Sequence, residues 1–157
     1  MSAHWSRDEA LVASVAEHLF GAMSMFPKRL IHVDELIHSF GMPLSHMQIL
    51  TLVEHADLSI RDISERTGVA KPNITPLVDA LRDRGYVSRQ RHSRVRRVVC
   101  VHLEEAGARV LAEMRAAVAD QVRGWSGAVS KAEARELVSG LKALEHVMEA
   151  VNRSAGT

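Results

Sequence analysis

A single cysteine stands in the 157-residue sequence, so no disulfide can close within one chain, and a reducing compartment is expected. Aromatic residues make up only 4% of the chain, so a core has to be built from Leu, Val, Ala, Ile and Met. No apolar run approaches the length of a membrane span. The start, Met1-Ser-Ala-His-Trp-Ser-Arg-Asp-Glu, holds neither a basic stretch nor an apolar one. A cytoplasmic protein with no membrane partner is the expectation. Catalytic signatures are also missing: there is no glycine-rich phosphate loop, no nucleophile elbow and no paired-carboxylate motif. An enzyme is therefore not expected, and no cofactor is implied. Nine histidines are present, but without a dense Cys/His motif, so a zinc hydrolase built from them is only the conceivable catalytic rival.

One more absence locates the segment around which the chain is organised. Between Asp83 and Glu104 there is no acid, while Arg84, Arg89, Arg91, Arg94, Arg96 and Arg97 all fall there. From Ser59 to Leu103, ten Lys or Arg face four Asp or Glu, a net of +6; the whole chain is +1, which leaves −5 for the rest. A basic segment on an acidic support is the electrostatic footprint of nucleic-acid binding.

The pattern inside that segment agrees. Ser59 with Asp62 three residues on forms a capping-box start, Gly68 supplies a turn, and Ile74, Leu77, Val78 and Leu81 mark one face of a second helix. Gly85 ends that helix, and Tyr86-Val87 and Val98 to Leu103 read as β-rich runs around a basic tip. Helix, turn, helix and a two-stranded ribbon make a winged helix-turn-helix. The expected fold is mostly α with a small β-wing. Before the segment, helices are expected from Arg7 to about Met25 and from Lys28 to Ser39, as one long helix kinked at Pro27 or as two, and from Ser45; after it, from Glu104 to about Trp125 and from Lys131 to Val151, with a frayed tail. The last helix spaces Leu137, Leu141, Leu144, Met148 and Val151 by 4, 3, 4 and 3 residues, as a coiled-coil seam does. The domain reading is residues 1–43 as N-terminal helices of a dimerisation region, 44–103 as the DNA-binding domain and 104–157 as C-terminal dimerisation helices. A two-fold dimer would place two recognition helices about 34 Å apart on a pseudo-palindromic duplex.

Five stretches carry a family resemblance: Leu44-Ser-His-Met-Gln-Ile-Leu50, Leu58 to Val69, Lys71 to Leu81, Asp83 to Arg91, and Val98 to Gly107. In this order and spacing the chain resembles MarR-family transcriptional regulators, the multiple-antibiotic-resistance type. The resemblance implies a homodimeric winged-helix repressor or activator released from double-stranded DNA by a small molecule, a metal or an oxidant. It is densest from Leu44 to Leu111. Val95 and His92 stand where the family commonly carries acids in the wing, and Ala70 stands where a capping serine is usual.

Named DNA contacts rest on residue chemistry. Lys71, Asn73 and Thr75 are the exposed early positions of the recognition helix; Asn suits adenine, Lys guanine or phosphate, Thr a thymine methyl. Arg94, Arg96 and Arg97 at the wing tip suit a narrow minor groove. Ser59 and Arg82 are phosphate candidates, and Arg89 and Arg91 alternate on a strand face, where they are expected only to solvate the strand. For the effector, His18, Phe26 and Met47 (with Trp5) are candidate lining residues, in a crevice that the resemblance implies. Alternatives stay open. His32, Asp34, Glu35 and His38, or His102 with Glu104, offer carboxylates and imidazoles to a metal, though no metal site is assigned; Cys100 offers a thiol to an oxidant; and a winged helix can serve protein interaction instead.

Overall fold

The computed structural model describes residues 8–25, 31–91 and 98–155, and the chain divides after Phe40 into two units. The first holds α1 (Glu9–Met25) and α2 (Val33–Phe40). Asp8 starts α1 as its acidic side chain implies: its carboxylate accepts the Leu11 N–H at 3.1 Å. Leu11, Val15 and Leu19 form a stripe on α1 and remain 40–47% exposed. The expected second helix is described from Val33 to Phe40, and Phe26 to Leu30 lie outside the described residues.

The second unit runs α3 (Leu44–Val53), β1 (Leu58–Ser59), α4 (Ile60–Thr67), α5 (Lys71–Asp83), β2 (Val87–Arg91), β3 (Val99–Leu103), α6 (Glu105–Arg123), a 3-10 turn (Gly124–Gly127) and α7 (Lys131–Ala155). The three strands form an antiparallel sheet of order β1-β3-β2. The expected two-stranded ribbon therefore gains a strand, because buried Leu58 pairs with Val101 and Ser59 with Cys100. Two residues are too short to show a period of two, so β1 left no pattern in the sequence.

The core of this unit is aliphatic, as the scarcity of aromatics requires. Leu50 of α3, Ile63 of α4 and Val78 and Leu81 of α5 are wholly buried, and Val87 and Val101 close the layer from the sheet. Each such side chain contributes about 2 kcal/mol relative to exposure. Helix α3 packs against both α5 and α6, and Arg115 of α6 clamps the α3 terminus by donating both Nη groups to the Glu54 carboxylate. That hydrogen bond, more than the charge of Arg115, holds the Glu54 carboxyl below its ordinary range.

Two backbone devices tie the end of helix α5 to β2 and α6. At its C-terminus Tyr86 N–H donates to Leu81 O at 3.0 Å and Gly85 N–H to Arg82 O at 2.8 Å, the paired bonds of a Schellman motif. The chain then leaves for β2 with the Tyr86 carbonyl accepting the Glu104 N–H at 3.0 Å. Gly107 of α6 sits against the same carbonyl: a Cβ there would meet Tyr86 O at 2.3 Å and Leu103 Cδ1 at 2.6 Å. Backbone on one side leaves nothing soft to move. Gly107→Ala is expected to cost about 3 kcal/mol by overpacking, read as a lowered urea midpoint at unchanged slope. A gain of about 1 kcal/mol, the ordinary reward of Gly→Ala within a helix, would show that the approach is looser than this.

Helix α7 opens with the expected capping box: Ser130 N–H donates to Glu133 Oε2 at 2.8 Å and Glu133 N–H to Ser130 Oγ at 3.2 Å. It runs to Ala155, past the expected Val151. Its seam residues Leu137, Leu141, Leu144, Met148 and Val151 are 37–57% exposed. No helix among the described residues is long and apolar enough to cross a membrane.

Candidate nucleic-acid interface

The interface is built from α4, α5 and the β2–β3 ribbon. The capping box at α4 is complete. Asp62 N–H donates to Ser59 Oγ at 3.1 Å, Ser59 N–H to Asp62 Oδ2 at 3.0 Å, and the Ser59 hydroxyl donates to Asp62 Oδ2 at 2.6 Å. The candidate phosphate contact Ser59 is thus occupied as a cap. The Ser59 hydroxyl chiefly, and its backbone N–H, hold the Asp62 carboxyl below its ordinary range against the opposing effect of burial. A depressed folded-state pKa means that this stability is present above the unfolded value, near 3.9, and is lost as pH falls through the folded one. Ser59→Ala is expected to cost about 1 kcal/mol at neutral pH and less at an acid pH below the folded-state pKa of Asp62, where the carboxyl is protonated in the folded chain too. Urea titrations at the two pH values check this; an equal cost at both would remove Asp62 from the cap.

Gly68 ends α4 with φ +69, a left-handed turn that favours glycine. Ser64 Oγ donates to Val69 O at 2.7 Å and Thr67 Oγ1 to Ile63 O at 2.8 Å, which pins the turn from both sides. Helix α5 then begins at Lys71. Its N-cap is Ala70, which offers no side-chain bond, and Pro72 lies in the first turn, where a missing N–H is harmless. Ile74, Val78 and Leu81 are buried, whereas Lys71, Pro72, Asn73, Thr75 and Pro76 are exposed. The three predicted reading residues Lys71, Asn73 and Thr75 are therefore at the surface, and Thr75 Oγ1 donates back to Lys71 O at 3.4 Å.

Charge is distributed differently from the sequence count. Helix α5 carries Lys71 and Arg82 against Asp79 and Asp83, a net of zero. Arg82 Nη1 lies 3.0 Å from Asp79 and its Nη2 3.1 Å from Asp83. Arg89 of β2, expected only to solvate the strand, reaches Asp79 at 3.0 Å. Asp79 Oδ1 is buried between the two guanidinium groups, held by charge rather than by aligned hydrogen bonds. This acid ties the recognition helix to the wing. Sequence alone assigns it no role; the i, i+3 spacing of Asp79 and Arg82 is visible there, but Arg89 requires the strand register. Arg61 is likewise paired, 2.6 Å from Glu65. Arg91 is exposed at the end of β2, opposite Val99. Arg94, Arg96 and Arg97 fall in 92–97, outside the described residues, within the segment that joins β2 to β3.

The effector and metal candidates are scattered. His18 of α1 is exposed, with Nδ1 2.7 Å from Ser14 O; Met47 of α3 is half-buried; Phe26 and Trp5 lie outside the described residues. His32 approaches Glu35 at 3.8 Å, and His102 Nδ1 lies 2.8 Å from Asp57 Oδ1. Among the described residues no three His, Cys, Asp or Glu side chains converge as metal ligands would. Cys100 is buried, and burial first, then Asp57 and Asp62, pushes its thiol pKa up, away from a reactive thiolate.

Two helices joined by a pinned turn, with a strand ribbon braced on the second, define a winged helix-turn-helix protein. Comparison with known sequences and structures makes the class narrower. The sequence model of the MarR family matches residues 40–98. The uncharacterized HTH-type transcriptional regulator YfiV of Bacillus subtilis (strain 168) is 37% identical over 65 residues, which span 41% of each chain. A MarR family protein from Bacillus stearothermophilus superposes with a TM-score of 0.72 at 23% identity, over 90% of this chain and 97% of that one. CouR from Rhodococcus jostii RHA1, bound to p-coumaroyl-CoA, superposes with a TM-score of 0.55 at 19% identity, over 92% of this chain and 95% of that one. The fold is that of MarR-family winged helix-turn-helix structures, and the match to the family's sequence model lies in the winged-helix segment.

Proposed function

We propose that the chain is a homodimeric, sequence-specific DNA-binding transcriptional regulator, a repressor released by a small-molecule effector. The observation that carries this reading is the exposed face of α5 set beside a ribbon whose acid-free run bears six arginines. Lys71, Asn73 and Thr75 read base edges in the major groove, and the wing arginines Arg94, Arg96 and Arg97 follow the adjacent backbone or minor groove. Arg82 reaches phosphate only by exchanging its two carboxylates for one. The exposed stripe of α7 supports a second copy as partner, and the acid-poor ribbon argues against a protein-interaction wing. CouR bound to p-coumaroyl-CoA supports an organic effector over a metal or an oxidant; the buried, protonated Cys100 points the same way.

The test is selection of duplexes from a random library at two salt concentrations. An enriched inverted repeat with half-sites about one helical turn apart, bound with a steep loss of affinity in salt, is the expected result. Binding indifferent to salt would remove phosphate contacts and the reading with them. Asn73→Ala is expected to relax preference at one base pair by about 1–3 kcal/mol of discrimination; a uniform loss over all sequences would instead make Asn73 a phosphate contact.

A further inference from the structure

The recognition helix presents prolines where it stands furthest from its own core. With Ile74, Val78 and Leu81 buried, the opposite side of a 3.6-residue helix is the line of Pro72, Pro76, Asp79 and Asp83. Both prolines are exposed, and Pro76 lies inside the helix, where it removes the N–H that would bond the Pro72 carbonyl. The cost of that lost bond is borne on a surface where nothing in the fold requires proline. Lys71, Asn73 and Thr75 flank the line rather than form it. Further along, Asp79 and Asp83 are matched by Arg82 and Arg89, so the ridge has no surplus charge with which to attract phosphate.

Resting on the DNA-binding reading above, we infer that Pro72 and Pro76 are specificity-determining residues that read thymine C5-methyl groups in the major groove. Their rings are rigid, apolar and donor-free, so they can gain only from an apolar partner, and thymine offers the apolar group on that groove floor. One helical turn separates them, about 5–6 Å. Bases along one strand rise by about 3.4 Å, so the two rings span roughly two steps. Each half-site then carries a pair of methyl-bearing positions beneath α5, with Asn73 and Lys71 reading the neighbouring edges.

The experiment uses the full chain and the duplex selected from the random library, remade with single thymines replaced by deoxyuridine, which removes only the methyl. One or two thymines per half-site are expected to lose about fourfold in affinity each, the worth of one buried methyl-sized group. Pro72→Ser and Pro76→Ser should erase that penalty at their own positions while still binding the duplex. Thermal unfolding checks that the variants fold; Pro76→Ser restores a helix N–H and should be no less stable. Deoxyuridine duplexes that bind as well as thymine ones, with strong binding of the selected duplex retained, overturn the inference and leave DNA binding standing. A penalty that persists in both serine variants overturns it too, by assigning the methyls to another side chain. Failure to select any duplex removes the DNA-binding reading itself.

Discussion

Replacing Arg94, Arg96 and Arg97 together with alanine is expected to flatten the slope of log affinity against log salt by about 5, from about six lost contacts in a dimer at about 0.9 each. The size of this effect comes from where the remaining cations are. Of the cations between Ser59 and Leu103 in the described residues, Arg61 is paired with Glu65, Arg82 with Asp79 and Asp83, and Arg89 with Asp79. Arg84 donates Nη2 to the Gly41 carbonyl at 2.8 Å. Helix α5 is neutral as a whole. The net of +6 read from the sequence is thus concentrated in the acid-free ribbon, whose connecting segment holds three arginines between Arg91 and Val99. Removing them takes away the sequence-independent part of binding while leaving Asn73, Lys71 and the proline line in place. Affinity at moderate salt should fall steeply for every duplex, with preference at the base pairs beneath α5 kept. A triple variant with an unchanged slope would place the phosphate contacts elsewhere and sink the wing assignment.

What the sequence disclosed and what it hid divide along the range of the interactions. The capping box of Ser59 and Asp62, the turn at Gly68, the stop at Gly85 and the buried face of Ile74, Val78 and Leu81 are all set within a few residues, and each is where the pattern placed it. The same local logic found Ser130 and Glu133 at the start of α7. Strand β1 was invisible because its two residues acquire strand character only from Cys100 and Val101, distant in the chain. Arg89 looked like a solvated strand residue because only the register of β2 against β3, and the packing of β2 on α5, turn it toward Asp79. Ser59 shows a different limit. Its residue type suits a helix cap and a phosphate contact equally, and the three bonds with Asp62 show it in the first of these roles. Gly107 carried no pattern at all: a glycine early in a helix reads as a weak helix former until the Tyr86 carbonyl is seen against its Cα.

Leu141→Glu with Leu144→Glu is expected to convert a dimer to a monomer, weakening self-association about a thousandfold. The stripe to which they belong is 37–57% exposed along five seam positions, and Val138 and Val147 beside it are 51% and 54% exposed. A soluble chain rarely leaves so long an apolar surface to water unless something covers it. A second copy of the same helix is the simplest cover, since a two-fold axis matches the seam with itself. Four leucines, two from each copy, would each recover about 1 kcal/mol of burial beyond what they keep as exposed side chains, and about 4 kcal/mol is nearly three decades in the dissociation constant. Four added carboxylates facing one another across the seam act in the same direction. Because the described residues of α7 contribute nothing buried to the core of the second unit, the winged-helix fold should survive, with a cooperative urea transition that no longer depends on chain concentration. Sedimentation equilibrium at micromolar concentration decides the matter. If the double variant stays dimeric, the two copies meet elsewhere and the seam needs another occupant. If it becomes a monomer yet holds an inverted repeat as tightly as the parent chain, the two half-sites are not read as a unit, and the link between the α7 stripe and operator symmetry is broken.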